Sequence, residues 1–148
     1  MLRLNITGAH QAKRTYHIKG RRVLLVEDNE LNMEIAKSLL EFQDVLVDTA
    51  ENGLKAVERY AAMPEGYYHA VLMDIRMPIM DGLDATREIR MIETGRKIKT
   101  PVIAMSANAF DEDKEQAYLA GIDGYLIKPI DTDKLFELLD GLDTQEKQ

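Results

Sequence analysis

Cysteine is absent from the 148 residues, which excludes a disulfide framework, a thiol nucleophile and a thiolate metal site, and fits a reducing, cytoplasmic setting. No apolar run approaches the roughly 20 residues that a membrane-spanning helix needs, and the N-terminus lacks the apolar centre of a secretory signal. Acids are missing from residues 1 to 22, which hold Arg3, Lys13, Arg14, Lys19, Arg21 and Arg22. The net charge of -7 therefore divides into +6 on that segment and -13 on the remainder. An acidic body argues against nucleic-acid binding, whose affinity comes from basic side chains. Histidine is scarce, and His10, His17 and His69 share no metal-ligand spacing; they read as surface residues. Internal repeats and low-complexity segments are lacking too.

What is present is an alternation of short apolar runs with segments of helical period. Residues 1 to 20 show no sustained period and read as a basic arm or linker. Residues 21 to 142 suffice for one packed domain, and 143 to 148 form a tail. Val23 to Val26, Val45 to Val47, Ala70 to Met73, Val102 to Met105 and Tyr125 to Ile127 read as five strands, the apolar runs suiting burial on both faces. Helices follow each. The first places Leu31, Ile35, Leu39 and Phe42 on one face; the second runs through Leu54, Val57 and Ala61; the third through Leu83, Thr86, Ile89 and Ile92, with Gly95 as a left-handed cap. The fourth, from Asn108 to Ala120, is weakly apolar and acidic at its start, so it packs poorly and shifts easily. The fifth carries Leu135, Leu138, Leu139 and Leu142, with Asp131 as N-cap. Residues 92 to 100 read as a solvated helix end and loop. Such alternation predicts an α/β domain, a five-stranded parallel sheet of flavodoxin-like order 2-1-3-4-5 with helices on both faces.

In that order the strand ends converge on one rim, bringing together Glu27 and Asp28, Asp74, Ser106 and Lys128. Each alone has a bland explanation as a helix cap, a strand terminus or a solvated lysine. Together they do not. Three carboxylates within about 5 Å repel by roughly 3 kcal/mol per pair at an effective dielectric of about 20, so positive charge belongs among them. Lys128 supplies some, and an all-oxygen donor set without His or Cys suits magnesium. An ionised Asp beside such an ion can attack phosphorus.

VEDNELN at 26 to 32, MDIRMPIMDG at 73 to 82, AMSAN at 104 to 108 and GYLIKP at 124 to 129 resemble, in order and spacing, the motifs of two-component receiver domains. VEDNELN and TPVIAMSANAF at 100 to 110 are most similar to receivers of hybrid sensor histidine kinases. The resemblance implies that Asp74 is the phosphoacceptor, that Glu27 and Asp28 position Mg2+ with Asp28 the direct ligand, and that the Arg76 backbone carbonyl completes the protein's ligands. It implies that Lys128, joined to Pro129 by a cis bond, pairs with the phosphoryl group, and that Ser106 and Tyr125 form the switch. Arg76 and Asn108 lie where side chains tune loss of the phosphoryl group. The partner implied is a histidine kinase or histidine phosphotransfer protein, with weak homodimerisation left open. Glu27 and Ser106 replace the commoner Asp and Thr and keep the functional groups. Asp44 stands where glycine often ends the first helix, so it must accept a left-handed backbone or avoid it.

Two other readings remain. A phosphatase working through an aspartyl phosphate resembles a DxD pattern, but Arg76 stands where its second acid belongs. A binding module, either a flavin binder or a receiver that takes no phosphate, conflicts with the acids after the first strand and with the complete set of receiver groups. The chain is either a single-domain regulator or a receiver cut from a larger sensor, and the basic arm fits a linker from such a parent.

Overall fold

Residues Arg22–Val26 (β1), Leu46–Ala50 (β2), Ala70–Asp74 (β3), Val102–Ser106 (β4) and Gly124–Ile127 (β5) form a parallel sheet of order β2-β1-β3-β4-β5. The structure is a computed structural model and describes residues 16–108, 110–142 and, for the backbone, 145–146. Helices α1 (Glu30–Phe42), α2 (Gly53–Ala62), α3 (Gly82–Glu93), α4 (Asp111–Ala120) and α5 (Thr132–Asp140) alternate with the strands. Ile98–Lys99 also pairs antiparallel with Gln145–Glu146. The expected order is therefore the one observed.

The sheet sorts the core by alternation. Leu24, Val26, Val71, Met73, Val102 and Ala104 face Ala56 and Tyr60 of α2, Ala85 and Ile89 of α3, and Ala117 of α4. Val23, Leu25, Ala70, Leu72, Ile103 and Met105 face Leu40 of α1 and Leu135, Phe136 and Leu139 of α5. All five residues of β3 are buried, as its unbroken apolar run requires. Register pairs Val26 with Met73, Asp74 with Met105 and Ser106 with Ile127, so the strands end together on one rim.

The helices begin where side chains can accept the first free amides. Asn29, Asn52 and Asp81 accept from Asn32 N, Lys55 N and Asp84 N, and Asp131 accepts from Asp133 N and Lys134 N. Phe110 before α4 offers no such bond. That helix buries only Ala117 and Ala120, in keeping with the weak packing expected of it. Asp44 accepts the left-handed backbone, at φ 61°.

Several expectations need correcting. Leu31, Ile35, Leu39 and Phe42 do not face the sheet: Leu31 is 68% and Phe42 84% exposed. The inward stripe is Met33, Ala36 and Leu40, a second helical series that periodicity alone cannot rank against the first. Strand β2 starts at Leu46 rather than Val45. Helix α3 ends on Thr94 in right-handed geometry, and Gly95 is not among the positive-φ glycines. His69 is buried, its Nε2 2.8 Å from Leu139 O; a carbonyl only accepts, so Nε2 carries the hydrogen.

Residues 92 to 100 are not simply solvated either. Buried Glu93 accepts from Tyr60 OH at 2.5 Å, Thr100 N at 2.8 Å and Arg90 Nη1 at 2.7 Å. Burial, then the bond to Glu93, pushes the Tyr60 hydroxyl up to about 12. Arg90 also donates to Gly121 O and Asp123 Oδ2, both at 2.7 Å.

The packed body begins ahead of position 21. Ile18 is 1% exposed within the core, the Tyr16 ring lies 5.4 Å from that of Phe136, and His17 N donates to Asp140 Oδ1 at 3.0 Å. Residues 1–15, with His10, lie outside the described residues, as do 143, 144, 147 and 148.

Candidate functional site

β1 stops where charge begins: Glu27 and Asp28 follow Val26, and Asn29 then turns the chain into α1. Beyond Asp74, Met77 and Pro78 break the strand and Asp81 caps α3. Ser106 ends β4, and Lys128 follows β5 on a cis bond to Pro129. Since these strands end in register, their terminal side chains meet.

Glu27, Asp28 and Asp74 each present a carboxylate oxygen, all within 4.8 Å of one another. Asp74 and Glu27 are each only 5% exposed, whereas Asp28 is open to solvent. Lys128 Nζ bridges the two buried acids, 3.0 Å from Glu27 Oε1 and 3.3 Å from Asp74 Oδ2. Glu27 Oε2 accepts from Asn29 N at 3.2 Å, and Lys128 N donates to Ser106 O at 2.8 Å. One ammonium thus faces three carboxylates, leaving negative charge uncompensated. Hard oxygen donors in such excess fit a divalent cation like magnesium.

Burial, then the hydrogen bond and charge of Glu27, pushes the Asp74 carboxyl up to about 7. Burial also acts to raise Glu27, but bonds with Asp74, Lys128 and the Asn29 amide outweigh it, and the net shift is downward. Burial acts to lower Lys128, and the bond to Glu27 with the charges of both acids raises it instead. Without a cation, the site therefore keeps a proton on Asp74 that the unfolded chain gives up near 3.8.

The sign of the linkage follows. The stabilising contribution of that proton is complete below the unfolded value and is lost as pH rises through about 7. The contribution of Glu27, shifted down from 4.5, is lost only below that value, and that of Lys128, shifted up from 10.5, only above its own, so neither changes in between. Metal-free protein in chelator should thus lose on the order of 2 kcal/mol relative to Asp74→Asn between pH 5 and pH 8. Denaturant melts of both forms at the two pH values measure it; parallel pH profiles would refute the raised Asp74.

The remaining predicted residues gather on the other side of Ser106. Ser106 Oγ accepts from Asn108 N at 3.0 Å, Asn108 Nδ2 donates to Asp113, and Tyr125 OH donates to Asn108 O at 2.9 Å. Arg76, Ser106, Asn108 and Tyr125 line a cavity of about 50 Å³ between the loop after β3 and α4. The structure thus forms two groups, the acids with Lys128 and this cluster, joined at Ser106. Sequence reasoning missed the Asn29 amide on Glu27 and the Asp113 anchor on Asn108. Only the VEDN wording hinted at the first. Nor does the sequence disclose that a Cβ on Gly82 would lie 2.2 Å from Asp74 O.

The model of the response regulator receiver domain matches residues 23–140. The two-component response regulator ORR41 of Oryza sativa subsp. japonica is 44% identical over 123 residues, covering 80% of this chain and 91% of that protein. The receiver domain of the sensor histidine kinase PA1611 from Pseudomonas aeruginosa PAO1, solved with a magnesium ion in its active-site cleft, is 39% identical. It aligns with a TM-score of 0.71, over 81% of this chain and 94% of that one. The receiver domain of Ssk1, solved with the histidine phosphotransfer protein Ypd1 of Saccharomyces cerevisiae, belongs to a complex matched at 29% identity and TM-score 0.77, over 85% and 89%. Histidine kinases of Arabidopsis thaliana, Oryza sativa and Dictyostelium discoideum match as well, and the chain spans 6% to 15% of their length.

Proposed function

Because the chain belongs to the response regulator receiver domain family, we propose that it takes a phosphoryl group from a phosphohistidine onto Asp74 and changes conformation in response. An Asp74 oxygen attacks phosphorus, the P–N bond breaks, and its electron pair returns to the imidazole. The observation that carries this reading is Lys128 Nζ, held 3.3 Å from Asp74 Oδ2 beside a cluster of three acids.

Glu27, Asp28, Asp74 and the Arg76 carbonyl would hold magnesium, which when bound offsets the carboxylates and the charge of the transferring group. Lys128 moves its charge from the Asp74 carboxylate to the phosphoryl oxygens. Ser106 donates its hydroxyl to the same oxygens and so loosens its bond from Asn108 N. Tyr125, tied to the Asn108 carbonyl, follows, and the poorly anchored start of α4 moves with it. Arg76 and Asn108 flank the route by which water reaches the phosphoryl group.

A histidine phosphotransfer protein or kinase domain is the donor. Ile35 and Leu39 continue from the exposed face of α1 into a groove of about 490 Å³ that ends at Lys128 and Glu27, a surface suited to an apolar helix carrying the phosphohistidine. The chain acts as a signalling domain rather than a turnover enzyme, in the cytoplasm, either as a single-domain regulator or as the receiver of a hybrid sensor kinase. No described helix is long and apolar enough to cross a membrane.

Acetyl phosphate or beryllofluoride with magnesium should modify the wild type, measured by mass or by amide chemical-shift changes, and leave Asp74→Asn unchanged. Equal labelling of the variant overturns the assignment.

A further inference from the structure

Ile79, on the loop between β3 and α3, has a conformation and an exposure that both run against its chemistry. Its φ is 71°, and Met80 N donates to Pro78 O at 2.7 Å, closing a three-residue turn of the rare positive-φ kind around it. A β-branched side chain is poorly suited to that region, which glycine or asparagine occupies at lower cost. The other non-glycine residue with positive φ among the described residues is Asp44, a type that tolerates it. Burial does not offset the strain, because Ile79 is 77% exposed.

The turn is fixed on both sides. Ile75 N donates to Met105 O at 3.1 Å, Gly82 N to Ile75 O at 2.8 Å, and Gly53 N to Met80 O at 3.1 Å. The backbones of α2 and Met80 approach so closely that a Cβ on Gly53 would lie 2.3 Å from Met80 O. An apolar side chain is therefore held in solvent in a conformation that a polar or smaller residue would take more readily. Features that oppose stability in this way belong to function.

We infer that Ile79 is a specificity-determining contact for the phosphohistidine protein that serves Asp74, covered only while that protein is docked. The inference rests on Asp74 being the phosphoacceptor. Asp74 is nearly buried, so a donor imidazole reaches it only if the donor's surface covers the surrounding rim. A standard interface of about 800 Å² per partner has a radius of roughly 16 Å. Five extended residues span at most about 17 Å, and the bonds that fold this loop bring Ile79 well inside the footprint. A small phosphodonor covers none of it.

Transfer to the wild type, Ile79→Gly and Ile79→Asn is measured with magnesium from two donors, acetyl phosphate and Ypd1 phosphorylated on histidine. Both variants should accept acetyl phosphate at the wild-type rate and melt about 3 °C higher. From subsaturating phospho-Ypd1 they should accept roughly ten-fold more slowly. Wild-type rates from Ypd1 overturn the inference, as does equal slowing with both donors or a lower melting temperature, which places Ile79 in the fold. A wild type labelled by acetyl phosphate but never by Ypd1 removes the phosphotransfer protein as the occupant. A wild type that acetyl phosphate does not label instead defeats the reading of Asp74, whatever Ile79 does.

Discussion

Replacing Glu93 with alanine should destabilise the domain by about 3 to 5 kcal/mol, a large share of the roughly 5 to 15 kcal/mol by which domains of this kind are stable. The side chain is 2% exposed and is the shared acceptor for Tyr60 OH, Thr100 N and Arg90 Nη1. Removal leaves the Thr100 amide without an acceptor and the Arg90 guanidinium short of one, and leaves the Tyr60 hydroxyl only Thr100 Oγ1, 2.9 Å away, each loss with its own desolvation cost. Arg90 keeps some bonds, to Thr100 O, Gly121 O and Asp123, so the loss falls mainly on the Thr100 amide. Glu93→Gln retains the shape and a carbonyl oxygen and should cost less than half as much. Urea melts decide the matter, and a loss of under 1 kcal/mol for alanine would show that water replaces the carboxylate. Combined with Tyr60→Phe, which removes the other half of the Tyr60–Glu93 bond, Glu93→Ala should cost less than the sum of the single changes.

Gly82→Ala should damage both the fold and the chemistry. A Cβ there would lie 2.2 Å from Asp74 O and 2.9 Å from Ile75 Cα, and both are backbone atoms with no rotamer by which to retreat. Either α3 backs away or Asp74 moves. The expected cost is about 2 to 3 kcal/mol, as for other overpacked sites. Because a displacement of about 1 Å at a reacting group can cost roughly 100-fold, labelling of Asp74 by acetyl phosphate should fall by about that factor. Gly95→Ala is the control, since the nearest atom to its Cβ would be 3.9 Å away and its backbone is not left-handed. It should label normally and be at least as stable as wild type. If Gly82→Ala also labels at the wild-type rate, the carboxylate is held by something other than this close approach.

These two residues mark the boundary of what the sequence discloses. The apolar run of β3 and the acid at its end could be read because burial on both faces leaves an unmistakable pattern, and strand order then brought Glu27, Asp28, Ser106 and Lys128 to the same rim. Asp131 was equally legible, because capping is a local property. Glu93 was not, since its partner Tyr60 is 33 positions away and a lone acid near a helix end looks solvated. His69 failed for the same reason: its partner, Leu139 O, is 70 positions away. On α1 two apolar series compete, and only the assembled sheet shows that Met33, Ala36 and Leu40 are the inner one. Ile79 could be read as a turn residue, but not as a strained one.

The fastening of Tyr16, His17 and Ile18 to α5 has a bearing on traffic around the molecule. α5 runs opposite to the strands, so its last turn, which receives His17 and His69, lies at the edge where β1 and β3 begin. Asp74 lies where β3 ends, the length of a five-residue strand away, roughly 17 Å. Tyr16, His17 and Ile18 therefore fasten to the body at the pole opposite Asp74. A visitor can come and go at Asp74 without displacing the contacts that hold Tyr16, His17 and Ile18.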